Sequence, residues 1–189
     1  LDEDAFILDF ERLCELVAWS ARTGTACVGM SDGGIVPIRR HNPNALNPFF
    51  NIIDLQQVRR LWNVSECRSH MFTGHTMREL WPPEHIITPG APYEFDDFET
   101  YYCFYFWLKA VGLKMAWLTG TTHEDGTATL LNDVSGRPFL LHTWYGRTFG
   151  RDAQQTSRIV RAAQWVARQI AKRDVSTAIT LTTVATKAT

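Results

Sequence analysis

Apolar positions recur at helical spacing in some stretches of the chain and cluster in short runs in others. Between Ala5 and Arg22, Phe6, Leu13, Leu16, Val17 and Ser20 keep the helical period, and Gly24 stops it. That predicts a helix with Asp4 as its N-cap. Thr25–Met30 reads as a short strand, Ser31–Gly34 as a turn and Ile35–Arg39 as a second strand. His41–Phe50, built from Asn and Pro, reads as a loop, and Asp54 caps a short helix over Leu55–Trp62. Residues 63–95 carry Pro82, Pro83, Pro89 and Pro92 and no period. They read as a long functional loop or lid, with Met71, Phe72, Leu80 and Trp81 to dock it.

Phe98–Val111 is apolar nearly all round, which predicts a helix buried on most sides and ended by Gly112. Leu113–Leu118, Thr127–Leu131 and Pro138–Trp144 read as strands, the last two joined by a turn at Ser135-Gly136. Arg151–Arg173 is a basic amphipathic helix with Ile159, Val160, Ala163, Val166 and Ile170 expected to face inward. Val175–Thr189, rich in Thr, Ala and Val, reads as an edge strand, a linker or a tail. With helices and strands alternating, the class is α/β or α+β, with one domain over residues 1–173 and a tail over 174–189.

Composition narrows this picture. The chain has 189 residues, 45% hydrophobic and 21% charged, which excludes a disordered polymer. No apolar run is long enough for a membrane span. A net charge of −1 leaves no electrostatic footprint for nucleic acid or anionic lipid. Cys14, Cys27, Cys67 and Cys103 are not at zinc-ligand spacing and are too sparse for a disulfide scaffold. They read as free thiols in the reducing cytoplasm. The opening Leu1-Asp2-Glu3-Asp4 has no Met or lead-in, and reads as a chain cut inside a fold.

Four places carry candidate chemistry. Asp2 and Asp4 are two residues apart, so in extended backbone they share a face and can converge on a hard divalent cation. The plainer reading is an acidic helix start that suits the macrodipole. Asp96, Asp97 and Glu99 precede the aromatic helix. A carboxylate among apolar groups has a raised pKa and suits a general base, although first-turn acids also serve as caps. His123, followed by Glu124-Asp125-Gly126, suits a metal ligand or an acid–base group, and equally a turn histidine. His142, between apolar and aromatic residues, suits a similar role or a hydrogen-bonded core position. Trp81, Tyr93 and Trp144 read by themselves as core aromatics.

The order of these pieces resembles the GT-A glycosyltransferases, particularly the family 2-like group. The resemblance runs over roughly residues 1–145: an Asp-x-Asp triplet at Asp2–Asp4, acids opening a helix, then Ala110-Val111-Gly112-Leu113-Lys114 leading to His123. It implies a mixed sheet flanked by helices, lacking the N-terminal nucleotide-binding βαβ units of that fold. It further implies a nucleotide-sugar donor, a glycan or other hydroxyl acceptor, and Mn²⁺ or Mg²⁺ held by Asp2, Asp4 and His123. Asp97, or Asp96 or Glu99, would deprotonate the acceptor in an inverting displacement, and Trp81, Tyr93 and Trp144 would be candidates for stacking on sugar faces. The alternatives are a metal-dependent hydrolase using Asp2, Asp4, His123 and Asp125, and a non-catalytic binding domain.

Overall fold

A computed structural model describes residues 2–32, 41–71 and 99–187, the last fourteen of these by their backbone alone. The fold is mixed α/β, with seven strands in two sheets and five α-helices among the described residues. Strand β1 (Ala5–Ile7) leads into helix α1 (Phe10–Arg22). Strands β2 (Cys27–Ser31) and β3 (Leu46–Ile53) follow, then short helices α2 (Leu55–Leu61) and α3 (Val64–Ser69). Helix α4 (Tyr102–Ala110) precedes β4 (Met115–Leu118), β5 (Gly120–Thr122), β6 (Thr129–Asn132) and β7 (Pro138–His142). Helix α5 (Ala153–Lys187) closes the described chain.

One sheet has the order β3-β2-β4, with β2 antiparallel to β3 and parallel to β4. The other is antiparallel, in the order β1-β7-β6-β5. Helix α4 lays Tyr102, Tyr105, Phe106, Trp107 and Leu108 against Cys27, Leu46, Val58 and Cys67, forming one core. A second core, built from Leu16, Val28, Phe49, Leu131, Phe139 and Leu140, joins α1 to both sheets. A third lies under α5, where Ala162 and Val166 meet Leu8 and Leu141. Strand β7 is therefore covered on both faces, which explains its unbroken apolar run Phe139-Leu140-Leu141.

Several sequence expectations change here. Residues 5–22 are not one helix. Ala5–Ile7 pair with Leu140–His142, and the cap of α1 is Asp9, whose Oδ1 accepts from Arg12 N–H at 3.0 Å. The second half of the expected loop over 41–50 becomes the start of β3, because Leu46, Phe49 and Phe50 have buried places to fill. Asp54 caps α2 as expected, accepting from the N–H groups of Gln56 and Gln57. The aromatic helix begins at Tyr102, later than expected. It ends at Gly112 in a Schellman turn, with Leu113 N–H on Leu108 O and Gly112 N–H on Lys109 O. Gly112 supplies the left-handed residue, at φ 75°, that this turn needs. Val160 and Ile170, expected to face inward, are exposed, and Ala162 is buried instead. The Thr-rich end continues α5 as helix to Lys187. The strand expected over Ile35–Arg39 and most of the Pro-rich stretch lie outside the described residues, although Asn63 caps α3 within that stretch. No helix among the described residues is long and apolar enough to cross a membrane.

Candidate functional site

The register of β1 on β7 places Ala5 opposite His142. Asp4, one residue earlier, meets that imidazole directly: His142 Nε2 lies 3.0 Å from Asp4 Oδ1. The other carboxylate oxygen of Asp4 accepts from Gly146 N–H at 2.9 Å. The Asp4 carbonyl takes Thr143 N–H and Thr143 Oγ1–H. Asp4 and His142 are both buried, whereas Asp2 is exposed at the rim. Single ligand atoms of Asp2, Asp4 and His142 lie within 4.8 Å of one another, a grouping that could hold a metal ion.

Burial alone would raise the pKa of Asp4. The hydrogen bond and charge of His142, with the Gly146 N–H, outweigh it and hold the carboxyl below its ordinary range. The ring of His142 stacks on Phe49, centroids 4.2 Å apart, and is covered by Trp144 at 4.3 Å. Its Nδ1 is buried and has no hydrogen-bond partner among the described residues. An ionised Asp4 carboxylate can only accept, so Nε2 donates in that bond and would have to give up its proton to ligate a cation. Two carboxylates and one imidazole are a donor set that could take a divalent cation such as the Mn²⁺ or Mg²⁺ of the resemblance, with His142 in the place expected of His123.

Beyond this group the surface opens into a cleft of about 640 Å³. Asn47, Glu99, Tyr101, Trp144, Tyr145 and Arg147 line it together with Asp2, Asp4 and His142. Trp144 and Tyr145 both have positive φ, 59° and 62°, rare for large side chains. Two polar contacts hold this bend. Trp144 Nε1–H donates to Thr129 Oγ1 at 2.9 Å, and the Trp144 carbonyl accepts from Arg158 at 2.7 Å. Strained backbone persists where its surroundings over-determine it, often at functional sites. Behind the lining residues Asn47 and Tyr101, Asp32 is almost fully buried and accepts from Tyr102 OH and Asn47 Nδ2, with Tyr101 OH 3.4 Å away.

The ring beside Asp2 and Asp4 is thus His142, where the sequence pointed to His123. Strand order is the reason. His123 follows β5, at the opposite edge of the sheet from β1, and three strand spacings amount to ~14 Å. His123 sits instead under α5, edge-on to Trp165 at 4.7 Å, with its Nδ1 accepting from Asp125 N–H. Asp125 is engaged by the N–H groups of Thr127 and Ala128 and by Arg158. The hydrolase ligand set of Asp2, Asp4, His123 and Asp125 is therefore not brought together. Of the candidate bases, Glu99 lines the cleft. Asp96 and Asp97 lie outside the described residues, as do Trp81 and Tyr93. Trp144 does line the cleft. Sequence reasoning missed Tyr101, Tyr145, Gly146 and Arg147. The last three directly follow His142-Thr143-Trp144, and that adjacency was the available signal.

No protein-family model, curated protein or solved structure matches this chain.

Proposed function

We propose that this chain is the catalytic part of a metal-dependent glycosyltransferase of GT-A type, which moves a sugar from a nucleotide-sugar donor to an acceptor hydroxyl. The observation that carries this reading is the grouping of Asp2, Asp4 and His142 on the wall of an aromatic-lined cleft. In this reading Asp2, Asp4 and His142 hold Mn²⁺ or Mg²⁺. When bound, the ion acts as a Lewis acid that neutralises the donor diphosphate. Arg147 adds positive charge on the same cleft. Tyr101, Trp144 and Tyr145 offer ring faces or edges to a sugar, amphipathic groups that suit one apolar and one hydroxylated side. The acceptor hydroxyl gives its proton to a carboxylate of the Asp96-Asp97-Glu99 run, of which Glu99 is the described member. Displacement at the anomeric carbon then proceeds with inversion.

A thermal-shift panel of nucleotide sugars, each with and without Mn²⁺, tests the reading. The expected outcome is a shift that needs both the ion and one donor class, lost in Asp4→Asn and His142→Ala but kept in His123→Ala. Stabilisation by Mn²⁺ alone, with no nucleotide sugar adding to it, overturns the transferase reading and leaves a metal site of other chemistry on Asp2, Asp4 and His142. No Mn²⁺ effect at all leaves a binding domain.

A further inference from the structure

A second cavity adjoins the cleft on the side of α5. It has a volume of about 610 Å³, within the range of small-molecule sites. Its walls are Phe6 from β1, Phe149 beyond β7, and Ile159, Val160, Ala163 and Ala167 along one side of α5. Ile159, Ala163 and Ala167 follow one another at intervals of four, so they stack in a single row. The two alanines keep that row shallow, while Phe149 and Val160 stand 52% and 40% exposed at its edge. Both cavities share Glu3, Asp4 and Gly146 as lining residues. The two cavities therefore meet at these residues, and a molecule spanning them would have hydroxyls among the acids and an apolar body beside α5.

We propose that this groove holds the apolar part of an amphiphilic acceptor, an alkyl chain whose hydroxylated head reaches the Asp2–Asp4–His142 site. The inference rests on the transferase reading and narrows its acceptor class. It follows from continuity: the groove opens onto the same Asp4 that the candidate metal site uses. Apart from Glu3, Asp4 and Gln164, its lining side chains are apolar and leave little for a purely polar glycan to bond. Each methylene removed from water strengthens binding by up to roughly fourfold.

The probes are octyl β-D-glucoside, kept below its micellar concentration, and methyl β-D-glucoside. Binding to the native chain is followed by calorimetry beside a separate Mn²⁺ titration. Octyl glucoside is expected to bind at least tenfold more tightly than the methyl compound. Ala163→Trp, which fills the groove, should erase that preference while Mn²⁺ affinity stays native. Val160→Asp, a surface change that leaves the core intact, should do the same. Equal affinity for the two glucosides, or an octyl preference that survives both variants, overturns the proposal. So does concentration-dependent dimerisation in sedimentation that either variant abolishes, since a second copy would then cover the groove. A preserved octyl preference without any Mn²⁺ binding instead overturns the transferase reading and leaves the groove as an amphiphile site.

Discussion

Gly146 shows how closely the candidate site is built. A Cβ added there would stand 2.8 Å from Asp4 Cβ and 2.9 Å from its Cγ, nearer than such atoms come. The Gly146 N–H is also one of the bonds that keep Asp4 ionised. Gly146→Ala must therefore displace either the carboxylate or the Trp144–Arg147 bend. It should cost ~1–3 kcal/mol, as overpacking does, and weaken Mn²⁺ at least tenfold, the scale of a disturbed ligand environment. Denaturant unfolding beside a Mn²⁺ titration checks both, and native affinity in the variant would detach Asp4 from metal binding. The thiols give a second prediction at this scale. Burial pushes the Cys27 and Cys67 thiols up to about 12, whereas Cys14 is exposed. With Ellman's reagent at pH 8, Cys14 should react at once. Cys27 and Cys67 should react only as the chain unfolds, because the thiolate is the nucleophile. Fast labelling of Cys27 in the folded chain would contradict the burial.

At the scale of elements, helix α4 carries the firmest expectation. Trp107 is fully buried and meets Trp62 edge-on at 5.1 Å, whereas Phe104 is only partly covered. Trp107→Ala should cost ~3–5 kcal/mol and Phe104→Ala clearly less, read as unfolding midpoints in urea. Equal losses would mean that the helix faces differently. The burial of this helix was legible because its apolar residues cover almost every face, a pattern with few alternatives. Strand β1 was not legible. Ala5-Phe6-Ile7 is a three-residue apolar run next to a helical period, and only its partner on β7 makes it a strand. The same pairing decided the histidine. Asp2 and Asp4 could be read from their spacing, but the choice between His123 and His142 depends on strand order, which spacing does not encode. Likewise Val160 and Ile170 fit the apolar side of α5 by period, yet Val160 stands at the edge of the groove beside α5, and Ile170 lies outside the buried cluster that holds Ala162 and Val166.

At the scale of the whole molecule, hydrogen-bonded carboxylates tie the layers together and set the acid limit of the fold. Asp133 gathers the Ser135 and Arg137 N–H groups and binds Arg12 of α1 at 3.2 Å. Asp125 joins the β5–β6 turn to Arg158 of α5 at 3.1 Å, and the same arginine holds the Trp144 carbonyl. Asp9 takes Arg173 of α5 at 3.0 Å beside its own helix cap. Burial alone would raise the pKa of Asp4, Asp125 and Asp133. Their hydrogen bonds and cationic neighbours outweigh it and leave all three below the ordinary value of 3.8. A carboxyl with a depressed folded pKa binds fewer protons folded than unfolded at acid pH. Its stabilisation is complete above the unfolded value and disappears as pH falls through the folded one. Unfolding free energy should therefore change little through these groups down to about pH 5, then fall steeply below about pH 4. Asp133→Asn should lower stability at pH 7 and flatten the acid limb, because the amide no longer titrates. Asp4→Asn should flatten it as well, since His142 and Gly146 lose the same charge. Denaturant midpoints at pH 7, 5, 4 and 3 for the three proteins decide the matter. An acid limb equally steep in all of them would place the acid sensitivity in other groups.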